Sequence, residues 1–198
     1  MIPGLGSSGG IAAVLDGVLD LAVSARPLKP AESGLTETIA VRTPYGLASS
    51  NPKPGNIAKT DVAAFYAEAT ATWPDGTPVR VILRPKSESD TALLGETFPE
   101  MIAAIDRVRM RMDVPVAATD QDNLEMAKSI EGSLVGTSLA QMITENHQPL
   151  AVSHDRRRRT NAREPGKWRL SLLQALSFCV CRSAETGCAA LYGFCSIQ

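Results

Sequence analysis

The sequence contains no apolar run approaching the eighteen or so residues of a membrane-spanning helix, and Met1-Ile2-Pro3 lacks the charged and hydrophobic regions of a secretory signal. It also lacks an excess of either charge: 20 Lys and Arg stand against 21 Asp and Glu, for a net charge of −1. No global field therefore favours nucleic acid or an anionic membrane, and anion binding has to rely on local donors. The four cysteines, Cys179, Cys181, Cys188 and Cys195, all fall in the last twenty residues. Their C-x-C-x6-C-x6-C spacing fits no zinc ribbon or finger, which excludes a recognisable metal site. What remains is a chain of 198 residues and 44% hydrophobic content, enough for one large domain or two small lobes, with a small partner expected.

The chain is organised around the glycine-rich turn Gly4-Leu5-Gly6-Ser7-Ser8-Gly9-Gly10, followed by Ile11, Val14, Leu15 and Val18 at helical spacing. Glycines let the backbone approach a ligand, and the Ser7 and Ser8 hydroxyls stand where a helix leaves its first N–H groups unpaired. Such a place prefers an anion. A second stretch, Arg84-Pro85-Lys86-Ser87-Glu88-Ser89-Asp90-Thr91, offers the same chemistry. The two are expected to face one another and hold one oxyanion.

Other readings of the first turn compete. Gly4, Gly6 and Gly9 match the dinucleotide fingerprint, but only three residues precede them and Glu32 is loosely placed for a ribose. Gly6-x-Ser8-x-Gly10 matches a nucleophile elbow, in which Ser8 would attack with His147 or His154 as base. A phosphate loop fails because Gly9-Gly10-Ile11 supplies no lysine. A plain turn capping an ordinary helix stays open.

Along the chain, residues 20–24 read as a short buried strand, residues 37–41 as another, and Pro44-Tyr45-Gly46-Leu47 as a glycine turn. Thr60 or Asp61 can cap a helix over 62–70, closed by the turn Trp73-Pro74-Asp75-Gly76-Thr77. The β-branched run 79–83 is the clearest strand, and its carboxyl end delivers Arg84 into the polar loop. Helices are expected over 91–98 and 99–110, the second with Ile102, Ile105 and Val108 as core face. Pro115 marks a short strand, Asp120 or Asp122 a cap for a helix to residue 130, and 134–137 a strand leading into a helix over 138–144. Strands alternating with helices imply an α/β fold with a parallel sheet and ligands beyond the strands' carboxyl ends. Asp155-Arg156-Arg157-Arg158-Arg159 reads as a solvated basic run, since no aromatics interleave with it, and 170–180 as one amphipathic helix.

With these residues in hand, the chain resembles the phosphate-binding proteins of bacterial ABC importers, which have a class II periplasmic-binding-protein fold. Gly6-Ser7-Ser8-Gly9-Gly10 with its helix, then Asp20-Leu21-Ala22-Val23-Ser24-Ala25-Arg26-Pro27-Leu28, are similar to that family's first-lobe pattern. Arg84 with Ser89-Asp90-Thr91 resembles its second-lobe arginine and Ser-Gly-Thr. The likeness covers roughly residues 2 to 152. It implies two lobes of parallel-rich sheet flanked by helices: a partial first lobe over 1–43, a second lobe over 44–150, and an atypical tail over 151–198. It implies a receptor without catalytic activity, holding phosphate or a related oxyanion through Ser7, Ser8, Gly9, Arg84, Ser89, Asp90 and Thr91, with Arg26 as a further candidate. A permease partner and a periplasmic or cell-surface address come with the resemblance, and no cofactor or metal does.

The sequence departs from that pattern in several places. Ala25 stands where the phosphate binders carry an aspartate that accepts the ligand's proton, and Arg26 follows it, so sulfate-like or organic-phosphate ligands enter the range. Asp90 occupies a glycine position, where its carboxylate must point away from the anion or accept its proton. The family's export signal, first strand, first helix and a further ligand loop would precede Ile2, which implies weak binding by this chain alone or a truncated remnant without binding. Leu172-Leu173-Gln174-Ala175, read one nucleotide later, can encode Tyr-Tyr-Lys-Pro, a run similar to one near the family's end, so a frameshift is expected there.

Overall fold

A computed structural model of the chain describes residues 5–55, 57, 58, 60–144, 151, 152 and 173–181. His147, His154, the basic run 155–159, Cys188 and Cys195 lie outside the described residues. The elements in order are α1 (Gly6–Leu15), β1 (Leu21–Ser24), β2 (Thr36–Ser49), α2 (Val62–Ala67), β3 (Arg80–Val81), α3 (Ser89–Thr97), α4 (Met101–Arg109), α5 (Asp120–Ser129), β4 (Ser133–Ser138), α6 (Leu139–Thr144), β5 (Ala151–Val152) and β6 (Leu173–Cys181). They form two compact units, one of Met1–Thr43, Ser87–Ser89 and Gln174–Gln198, the other of Pro44–Lys86 and Asp90–Leu173.

In the first unit, α1 packs on β1, and β1 pairs antiparallel with β6 from Leu21↔Cys181 to Ser24↔Phe178. Ile11 and Val180 form the core, with Leu28 and Leu35 packed against them. β1 buries Ala22 and Ser24 and exposes Val23, the alternation of a half-buried strand. The helix stops earlier than its apolar spacing suggests: Gly17 turns left-handed at φ +73, and Val18, the last of the residues at helical spacing, is 75% exposed. The amphipathic helix expected over 170–180 is instead the strand β6. Its pairing with β1 over residues 178–181 is a tertiary contact that outweighs local periodicity.

In the second unit, β4 is the central strand, parallel to β3 and antiparallel to the later part of β2, which also pairs with β5. The sheet is therefore mixed, and the expectation of a parallel sheet fails where β2 returns antiparallel. Five of the six β4 residues are buried, as a strand covered on both faces requires. Ala48, Ile82, Ala117, Leu124, Ala127 and Val135 make the core.

The glycine turn expected at residues 44–47 is absent. Gly46 is not among the glycines with positive φ, and it continues β2 opposite Thr137. In α4, Met101, Ala104, Ile105 and Val108 face inward while Ile102 is 53% exposed, which corrects the predicted core face by one residue. The cap of α5 is Thr119, not Asp120 or Asp122. Its hydroxyl accepts the Asp122 N–H at 3.1 Å and the Asp122 carboxylate accepts the Thr119 N–H at 3.0 Å. Residues 82–83 continue past β3: the Leu83 N–H donates to the Pro115 carbonyl and the Ala117 N–H to Leu83. That bridge replaces the short strand expected at Pro115, and it brings the Ala117 carbonyl beside Arg84.

Candidate functional site

Each unit carries its own polar cluster. In the first, α1 opens at Gly6 with φ +65, a left-handed backbone that glycine adopts without strain. No side chain caps α1, and its first turn holds no acidic residue. The Ser7 hydroxyl oxygen instead accepts the Ala25 N–H at 2.9 Å, fastening α1 to the end of β1. The Ser8 oxygen accepts from Arg26 Nη2 at 3.3 Å. A hydroxyl engaged as acceptor keeps its own hydrogen for another oxygen, so both serines can still donate.

Arg26 forks onto Glu32 with bonds of 2.9 and 2.7 Å, and the Lys29 N–H adds a third donor to that carboxylate. The Arg26 hydrogen bond holds the Glu32 carboxyl down at about 2, and Glu32 in turn raises the Arg26 guanidinium. Glu32, weighed above against a ribose hydroxyl, is thus the partner of Arg26. The Glu88 carboxylate lies against the first residue of α1, where a side-chain carbon on Gly6 would stand 3.0 Å from Glu88 Oε2. The helix end expected to attract an anion is therefore faced by a carboxylate of the chain itself.

In the second unit the extended run through 80–83 delivers Arg84, which is only 5% exposed. Its Nε donates to Asp90 Oδ2 at 3.3 Å, Nη1 to the Ala117 carbonyl at 2.7 Å and Nη2 to Asp120 Oδ1 at 2.8 Å. The guanidinium is thus spread over two carboxylates and a carbonyl, a fixed and desolvated cation. Arg109 braces the same corner: its Nη2 donates to the Arg84 carbonyl at 2.7 Å and to the Thr91 hydroxyl at 3.3 Å. Thr91 in turn donates to the Pro85 carbonyl.

Tyr45 on β2 and Tyr66 on α2 are both buried in the same unit, with hydroxyls that have no hydrogen-bond partner among the described residues. Burial pushes both phenols up, and the Asp90 charge adds to it. Gly136 makes room for Tyr45, because a side-chain carbon there would overlap the phenol oxygen. The Gly136 carbonyl accepts from Asn123 Nδ2 at 3.0 Å.

Of the residues named from the sequence, Ser7, Ser8 and Arg26 gather in the first unit, with Gly9 on the same helix turn. Ser89 is buried and belongs to that unit by its contacts, while Arg84, Asp90 and Thr91 gather in the second. Sequence reasoning missed Asp120, Arg109 and Tyr45 as neighbours of Arg84, and Tyr66 as a group under the influence of Asp90. Asp120 and Tyr45 were visible only as cap and turn residues, and no spacing rule connects 45, 66, 84, 109 and 120.

Residues 1–172 match the family described as PBP superfamily domain. A search of curated proteins finds no match. Among solved structures, a Clostridium perfringens protein described as a phosphate ABC transporter substrate-binding protein, with bound phosphate, aligns at TM-score 0.63 and 13% identity. The alignment covers 93% of this chain and 76% of that one. An ABC-type phosphate transport receptor from Vibrio cholerae aligns at TM-score 0.54 and 14% identity, covering 96% and 78%. The reduced OxyR regulatory domain from Pseudomonas aeruginosa aligns at TM-score 0.55 and 9% identity, covering 94% and 77%. At these identities the likeness is one of fold, which receptors and a regulator share. With the family match running over most of its length, and helices and sheet arranged as described, the chain belongs to the PBP superfamily and has its α/β class II fold.

Proposed function

We propose that the chain is a solute receptor that captures a small oxyanion, phosphate first, and presents it to an ABC importer in the periplasm or at the cell surface. The observation that carries this reading is Arg84: a buried guanidinium, ringed by acceptors and braced from behind by Arg109, at the carboxyl end of the strand run. In open α/β sheets ligands gather at that end. Ser7 and Ser8 supply hydroxyl donors at the amino end of α1, with Gly9 N–H beside them. Ser89, Asp90 and Thr91 begin α3 next to Arg84. Arg26 adds positive charge beside Ser8.

The anion takes the place of a carboxylate on the Arg84 guanidinium. Phosphate is preferred because two solved structures of the same fold are described as phosphate ABC transport proteins. Among the described residues the partner of Ser8 is the Arg26 guanidinium, which stays protonated and cannot take the serine's proton, while His147 and His154, the bases of the serine-hydrolase reading, lie outside the described residues.

A thermal-shift screen of phosphate, sulfate, phosphonates and phosphate esters tests the proposal. Phosphate at a hundred times its Kd is expected to add about 2.7 kcal/mol of stability. A melting temperature unmoved by every anion in the screen overturns it.

A further inference from the structure

The Tyr45 and Tyr66 hydroxyls pose a question that the anion site as described does not answer. A buried hydroxyl without a partner is uncommon and unfavourable, and here two of them lie in one unit. Tyr45 is not placed by accident of packing alone. β4 carries glycine at 136, and the Tyr45 ring extends over it so far that any larger residue would meet the phenol oxygen.

The same glycine is approached by Leu94, whose Cδ2 would stand 3.4 Å from a side-chain carbon at 136. Leu94 is one helical turn beyond Asp90 on α3, so the two share a helix face. The phenol of Tyr45 therefore lies under the face of α3 that carries Asp90. Asp90 is also the charged group acting on the Tyr66 phenol.

Asp90 is bonded to Arg84 Nε at 3.3 Å, the longest of the three guanidinium bonds described. An oxyanion that takes the Nε edge of Arg84 displaces Asp90 from it, and a carboxylate displaced within a largely buried corner gains from further donors. We propose that Tyr45 and Tyr66 are those donors: when an oxyanion loads onto Arg84, the Asp90 carboxylate leaves the arginine and accepts the two phenol O–H groups. No covalent bond changes and no proton moves. One set of hydrogen bonds is exchanged for another, and the partnerless hydroxyls of the unloaded state become partnered on loading. The proposal rests on the anion-binding reading above and assigns Tyr45 and Tyr66 as positioning residues that need not touch the ligand.

The test uses the full chain, inorganic phosphate, calorimetry and melting curves, with Tyr45→Phe, Tyr66→Phe, Asp90→Asn and the combinations. Each phenylalanine variant keeps the ring and should fold. Without phosphate, each is expected to melt at or above the temperature of the parent chain, because a partnerless buried hydroxyl has been removed. With phosphate, each is expected to bind about tenfold more weakly, the worth of a hydrogen bond to a charged group. In the Asp90→Asn background the same substitutions are expected to cost little further affinity, since their partner is gone.

Parent-like phosphate affinity in both phenylalanine variants would overturn the proposal, as would an equal loss with and without Asp90 or a fall in melting temperature without phosphate. If the parent chain itself binds no phosphate, the receptor reading fails and this inference fails with it. Binding by the parent with indifferent tyrosines rejects the inference alone.

Discussion

Replacing Gly136 by alanine places a methyl group on the central strand β4 where the Tyr45 phenol oxygen stands, 3.0 Å from the ring carbon behind it and 3.4 Å from Leu94. The unfolded chain loses entropy on this change, which favours the variant by about 0.4–1 kcal/mol. Overpacking a closed core costs about 1–3 kcal/mol, and here the neighbours are the buried Tyr45 ring and the buried Leu94 side chain. The net expectation is a loss of about 1–2 kcal/mol, or a melting temperature lower by about 2–8 °C for a chain of this size. Tyr45→Phe removes the overlapping oxygen but leaves the ring carbon, so the double variant should recover about 1 kcal/mol of the loss. Urea unfolding at constant m-value measures all corners of the cycle. A neutral or stabilising Gly136→Ala, or a double variant whose effects simply add, would refute the packing of Tyr45 over Gly136.

Three further outcomes follow from other parts of the chain. Glu32 is held at about 2 against an ordinary value of 4.5, so its contribution is complete above pH 4.5 and is lost as pH falls toward 2. Allowing for solvent screening of a partly exposed pair, the loss is about 1–2 kcal/mol, and Arg26→Ala should flatten that part of a melting-temperature profile. Thr119→Ala removes the hydroxyl half of the α5 capping box, leaving the backbone N–H of residue 119 on the Asp122 carboxylate, and is expected to cost about 0.5–2 kcal/mol by urea unfolding. Glu88→Gln removes a negative charge from beside the amino end of α1. It should lower stability by about 0.3–1 kcal/mol and tighten phosphate binding in calorimetry.

Much of the architecture was legible locally. The run 79–83, bounded by prolines, announces a strand end that delivers Arg84, and the turn 73–77 closes with Gly76 at φ +86 as a tight turn requires. The glycine-serine turn and its helix could be read from composition alone. What could not be read depends on pairing across long separations. Pro44 and Gly46 look like a turn until β4 pairs with residues 45–48. Residues 173–181 look helical until strand pairing, with β1 over residues 178–181, takes them as a strand. The neighbours of Arg84 are legible in the same uneven way. Asp90 lies six residues away and is visible, whereas Asp120 and Ala117 reach Arg84 only because residues 115–117 run beside Leu83. Glu88 was within view in the polar stretch, but its approach to Gly6 is a tertiary fact.

Calorimetric titration of inorganic phosphate into the parent chain and into Arg84→Ala probes the oxyanion reading at its root, with melting curves to verify that the variant is folded. Loss of the buried guanidinium is expected to remove about 2–5 kcal/mol of binding, roughly thirtyfold to several-thousandfold in Kd. Equal phosphate affinity in a folded Arg84→Ala chain would show that Arg84 holds no anion.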